Sequence, residues 1–171
     1  MILTSSEANK LLRKLSEEWN ILYSKESDTR EFMAATIEKL EDARPDYDFS
    51  STQEKFEQIE AAVRKVKHAI NVFNVTTTVP GFDMTIDELL TFLPQLTSKI
   101  SKLKAMAEHS QKTRVGTSGT NIIEYEYANY DVNEAHEYYK TAVELKAKAQ
   151  TALDLINNTV QFEIDLDDSI L

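Results

Sequence analysis

Asn71-Val72-Phe73-Asn74-Val75-Thr76-Thr77-Thr78-Val79-Pro80-Gly81-Phe82-Asp83-Met84-Thr85 separates two strongly helical segments, and how it is read decides the fold. A Pro-Gly pair, consecutive threonine hydroxyls and two phenylalanines predict a shaped corner here, because each of these residues favours turn geometry or needs burial. A shaped corner lets the helices on either side return along one another. On the upstream side, Ser51-Thr52-Gln53-Glu54 reads as a capping box. Phe56, Ile59, Val63, Val66, Ile70 and Phe73 then recur at helical spacing, which predicts a helix over 51–74. On the downstream side, Thr85-Ile86-Asp87-Glu88 is a second capping box. It opens a helix over 85–111 with Ile86, Leu89, Leu93, Leu96, Ile100, Leu103 and Ala107 on one face. Pro94 lacks the N–H that would bond the Leu90 carbonyl and is expected to bend that helix. The two helices read as an antiparallel hairpin. Asn71 and Asn74 are placed to close the first helix, and Phe73 and Phe82 to plug the tip.

Toward the N-terminus, Ala8, Leu12, Leu15, Trp19 and Leu22 line a helix over 6–24, and Leu11 and Tyr23 widen the stripe. Residues 30–37 alternate in a way that fits a short strand, but Ala, Met and Glu are poor strand formers and helix stays open. Asp42 to Phe49 reads as loop. Toward the C-terminus, Lys112 to Gly119 is polar and reads as loop. Ile123, Tyr125 and Tyr127 alternate with Glu124 and Glu126 in a strand over 121–128. Asp131 is set to cap a helix over 131–157, with Val132, Ala135, Tyr139, Ala142, Leu145, Ala149, Ala152 and Ile156 inward. A strand over 159–166 follows, with Val160, Phe162, Ile164 and Leu166 on one face. The expected fold is mainly α (α+β). It is a single domain over 1–171, a long antiparallel helical hairpin or bundle carrying one small sheet of two or three short strands.

Composition narrows the function. The 171 residues hold no cysteine, which excludes disulfides, thiolate metal sites and thiol nucleophiles. A formal charge of −10 opposes binding to nucleic acid or anionic lipid. The first residues lack a basic and then apolar leader, and no apolar run approaches the roughly 20 residues that span a bilayer, so a cytoplasmic protein without membrane contact is expected.

Several motifs together resemble one family. They are Arg44-Pro45-Asp46-Tyr47-Asp48-Phe49, Val66 to Asn74, Pro80 to Asp87, Leu93-Pro94-Gln95-Leu96, Tyr127-Ala128-Asn129-Tyr130-Asp131 and Phe162-Glu163-Ile164-Asp165-Leu166. The chain resembles small uncharacterised bacterial coiled-coil proteins, mostly of Gram-positive bacteria, some of which are labelled septicolysin. The resemblance covers nearly the whole chain and implies a helical fold, with no activity attached.

Three candidate sites emerge. Glu124 and Glu126 on one strand, facing Glu163 and Asp165 on the other, would offer oxygen ligands to a divalent cation. Arg64, Lys67, Lys99, Lys102 and Lys104 form a basic stripe suited to RNA phosphates, or to an acidic surface such as the Asp165-Leu166-Asp167-Asp168 stretch of another copy. Asn71, Asn74, Thr76, Thr77 and Asp83 offer polar groups for a ligand or partner at the corner. His68, His109 and His136 fall on separate helices without ligand spacing. No nucleophile elbow or phosphate loop is present, so a non-enzymatic chain without a cofactor is expected. Wide apolar stripes and strands with uncovered edges point to a self-associating module, a homo-oligomer with room for a further protein partner.

Overall fold

A computed structural model describes residues 1–116, 119 and 122–166. The fold is mainly α, of the α+β kind. Among the described residues the order is β1 (Ile2–Thr4), α1 (Ser5–Thr29), α2 (Leu40–Ala43), α3 (Phe49–Thr76), α4 (Ile86–Ala107), β2 (Lys112–Val115), β3 (Glu124–Tyr127), α5 (Val132–Thr159) and β4 (Gln161–Glu163). The chain divides into two compact units. One holds Met1–Asn74 with Ile156–Leu171, the other Val75–Leu155.

In the first unit α1 and α3 run antiparallel. Ala8, Leu11 and Leu15 meet Ala62 and Val66 in the core, and further along α1 the Trp19 ring lies 5.4 Å from Phe56, earlier on α3. At the far end Glu26 accepts from the Tyr47 hydroxyl and the Gln53 amide, both at 2.8 Å. Burial, and then the Glu26 charge, push the Tyr47 phenol above its ordinary pKa. At the near end β1 pairs antiparallel with β4, Leu3 opposite Phe162. The Met1 nitrogen donates to the Ile164 carbonyl at 2.9 Å, and Ile164 returns its N–H to Met1 at 2.9 Å. That pairing drives Ile164 and Leu166 into the core and stacks Phe162 on Phe73, ring centres 4.5 Å apart.

In the second unit the corner closes on itself. Thr78 and Thr85 form a bridge, Val79 donates its N–H to the Met84 carbonyl, and Phe82 donates to the Val79 carbonyl. Gly81 has φ +81°, so Pro80-Gly81 fills the two central positions of a turn in which any side chain would be strained. All seven apolar positions expected on α4 are buried or half-buried, and the helix continues through Pro94. The inner line of α5 runs 135–139–142–146–149–153–156, alternating steps of four and three. The Tyr130 hydroxyl donates to the Met106 carbonyl at 3.0 Å and the Ala128 N–H to the Gln111 carbonyl at 3.1 Å. These bonds close the base of the β2–β3 ribbon where α4 ends and α5 begins.

The structure corrects several expectations. The strands at 121–128 and 159–166 do not share a sheet. The first shortens to Glu124–Tyr127 and pairs with Lys112–Val115, a stretch expected to be loop. The second shortens to Gln161–Glu163 and pairs with Ile2–Thr4. Each strand thus takes a partner that its own ladder bonds can satisfy at once, one across a hairpin and one across the whole chain. Residues 30–37 form no strand. The Ser51 capping box is absent, because α3 starts at Phe49 and the Asp48 carboxylate already accepts the Ser51 N–H at 3.0 Å. Asn71 and Asn74 do not end α3, which runs on to Thr76. Phe73 does not plug the tip; it serves β4. Leu145 is exposed, and the α5 line passes instead through Lys146, half-buried as a long-stemmed side chain can be, and Leu153. Asn121, Thr117, Ser118, Asp167 and Asp168 lie outside the described residues.

Two capping boxes are present, the expected one at Thr85 and another at Thr4. Thr4 and Thr85 each donate a backbone N–H and a hydroxyl to the carboxylate three residues on, Glu7 and Glu88, and accept the N–H of that residue. Those donors, the backbone N–H first, hold both carboxyls below their ordinary pKa. Their ionised forms therefore favour folding above the ordinary carboxylate pKa, a contribution lost as pH falls through the lowered folded-state value. Thr85→Ala is expected to cost about 1 kcal/mol. Glu7→Gln and Glu88→Gln should unfold at lower urea than the parent at neutral pH, and the gap should close in acid.

Candidate functional site

A groove of about 400 Å³ lies between α1 and α3 in the first unit. It exists because two antiparallel helices meet along a line and their flanks diverge on either side. Its floor is Leu12, Leu15, Trp19, Ile59 and Val63, the apolar stripes of both helices. Its rim is polar: Ser16 on α1, and Glu60, Arg64 and Lys67 on α3. The Trp19 indole is held in place by stacking on Tyr23 at 5.2 Å, by Phe56, and by donating to Glu60 at 3.3 Å. The groove combines apolar area with two cations, which suits an amphipathic, acidic helix better than a small polar substrate.

In the second unit the ribbon presents two unlike faces. Its register sets Lys112 opposite Tyr127 and Arg114 opposite Tyr125, so these four share one face. The Lys112 ammonium lies 4.0 Å from the Tyr125 ring centre and 5.3 Å from that of Tyr127. Glu124 and Glu126 share the other face with Thr113 and Val115. Every strand residue of the ribbon is exposed.

The residues singled out from sequence separate. Glu124 and Glu126 belong to the β2–β3 sheet, Glu163 to the β1–β4 sheet, and Asp165 pairs with Lys65 at 3.1 Å, so the facing carboxylates expected for a cation are not formed. Among the described residues no three His, Asp or Glu side chains come together to hold a metal ion. Of the basic stripe, Arg64 and Lys67 lie in the first unit on the groove rim. Lys99, Lys102 and Lys104 lie exposed on α4 in the second, Lys104 paired with Glu108 at 3.8 Å. Asn71 and Asn74 stand on the last turns of α3 in the first unit; Thr76, Thr77 and Asp83 belong to the second, where the Thr77 carbonyl accepts from Ile86. His68 and His136 are exposed on α3 and α5, and His109 follows α4. Sequence reading missed the groove because its floor residues, Leu12, Leu15, Trp19, Ile59 and Val63, read as inward-facing helix stripes. It missed the cationic ribbon face because β2 is only four residues long and ends beside Gly116.

Among solved structures, the chain is similar to the crystal structure of a functionally unknown conserved protein from Corynebacterium diphtheriae. The two share 13% identity with a TM-score of 0.55, over 95% of this chain and 100% of that one. That likeness speaks for the fold alone. No protein-family model matches the chain, and neither does any curated protein.

Trp19 is the sole tryptophan, so its emission reports directly on the groove. Trp19→Ala should cost about 3 kcal/mol, by removing a ring packed on two aromatic neighbours. Trp19→Phe should cost less than half of that, as read from urea midpoints followed by circular dichroism.

Proposed function

We propose that the chain is a self-associating interaction module, cytoplasmic and without a catalytic centre of its own. The observation that carries this reading is the exposure of large apolar side chains in the first unit. Met33 is 97% and Ile37 96% accessible, and the same unit carries an open apolar groove. Surface of that kind is costly to leave in water, and proteins cover it with a partner. No described helix is long and apolar enough to cross a membrane, which leaves another protein surface as the cover this reading favours. The motif resemblance to small coiled-coil proteins, some labelled septicolysin, fits this proposal and adds no activity to it.

A second reading is favoured by the ribbon. Two tyrosines interleaved with Lys112 and Arg114 make a face that can stack bases and meet phosphates, so nucleic-acid association moves there from the longer stripe. The chain's charge of −10 works against it.

Sedimentation velocity over a hundredfold concentration range tests the first reading. A species of at least twice the 19.5 kDa chain mass is expected, and a single species at chain mass throughout would remove it. Fluorescence anisotropy with single-stranded RNA at about 50 mM salt tests the second. Binding that weakens with salt and with Tyr125→Ala sustains it, and a flat titration dismisses it.

A further inference from the structure

Building on that self-association reading, we infer that the α1–α3 groove of one copy receives residues 31–43 of a second copy, folded there as a helix. This segment joins α1 to α3 and contains only the single turn α2 as regular helix. It nonetheless carries Met33, Ile37 and Leu40 at i, i+4 and i+7, the spacing that lines one face of a helix. All three are exposed, Leu40 at 59% and the other two almost completely. The segment is not slack. Ala35 donates its N–H to the Glu38 carboxylate at 2.8 Å, Glu38 returns a turn bond to Ala35 at 2.9 Å, and Arg44 lies 5.9 Å from the Phe32 ring centre and pairs with Glu41 at 3.3 Å. These contacts order the backbone while leaving the apolar side chains facing water.

Groove and segment match in length, polarity and charge. Met33 to Leu40 is seven residue steps, about 10 Å of helix, and so is Leu12 to Trp19 along the groove floor. The segment holds four carboxylates, Glu31, Glu38, Glu41 and Asp42, against one cation, Lys39. On a helix Glu41, and further round Glu38, lie along one side of the Met33–Ile37–Leu40 stripe, and the α3 rim of the groove offers Arg64 and Lys67 beside Glu60, which already accepts from Trp19. A second copy carries both halves, so each can offer its segment to the other's groove in a two-fold dimer.

Because Met33 and Ile37 are already exposed in the single chain, Met33→Ser with Ile37→Ser should leave the monomer's melting temperature unchanged. The same change should weaken association at least tenfold by sedimentation. Arg64→Glu with Lys67→Glu should weaken it comparably, and adding Glu38→Lys with Glu41→Lys should restore it. The absence of native cysteine permits a direct check. An Ile37→Cys chain mixed with an Arg64→Cys chain should give a disulfide-linked heterodimer under mild oxidation. If the parent is monomeric at every concentration, both the module reading and this inference fail. If the parent associates while the serine variant associates equally and no cross-link forms, another surface makes the contact and this inference alone fails. A chain carrying both cysteines that links only within itself would show the segment closing on its own groove, which also overturns it.

Discussion

The antiparallel pairing of Ile2–Thr4 with Gln161–Glu163 is the constraint on which the first unit rests. Three-residue strands are too short to be stable alone, so the ladder persists only because of what it is joined to. On one side Thr4 ends β1 and caps α1 through its reciprocal bonds with Glu7, so strand and helix share a residue. On the other, Phe162 stacks on Phe73, and Ile164 and Leu166 enter the core among Leu11, Leu15 and Val66. The Ser6 hydroxyl donates to Asn158 at 2.8 Å and ties the start of α1 to the end of α5. Hydrogen bonding, capping and apolar burial thus converge on about ten residues drawn from opposite ends of the sequence.

This arrangement explains why the unit has an open flank. Two antiparallel helices bury the line along which they meet, and β4 with the residues after it adds Ile164 and Leu166 to that core. No described strand lines the groove of Leu12, Trp19, Ile59 and Val63, which stays open with Arg64 and Lys67 at its margin. The chain that folds this way also holds Met33 and Ile37 in water. On the proposed reading, that surplus of apolar surface in one place meets the apolar recess in another when a second chain docks. The similarity to a conserved Corynebacterium diphtheriae protein of unknown function extends the fold beyond this chain without adding an activity.

The local features were the legible ones. The α4 stripe from Ile86 to Ala107, the Thr85 capping box and the Asp131 cap, which accepts the Asn133 N–H at 2.8 Å, are readable because each is decided within a few residues by helical geometry. Strand pairing was not legible. Nothing near Phe162 announces that its partner is Leu3, since a ladder between residues 160 apart is chosen by the closed core and not by local propensity. Helix ends were misread where a better cap lay a turn away, as Asp48 displaced Ser51. The groove illustrates a further limit. Periodicity marks Leu12, Trp19, Ile59 and Val63 as inward-facing, but whether such a stripe is covered depends on how many elements pack there.

Amide hydrogen exchange tests the central role of the β1–β4 pairing most directly. If the clasp holds the unit together, the amides of Ile164 and Phe162 and those of α1 from Ala8 to Leu15 should exchange only through global unfolding. Phe162→Ala should then accelerate them all together. Fast exchange at Ile164 and Phe162 while α1 stays protected, or an unchanged α1 in Phe162→Ala, would show that the helices hold without the clasp and contradict the account.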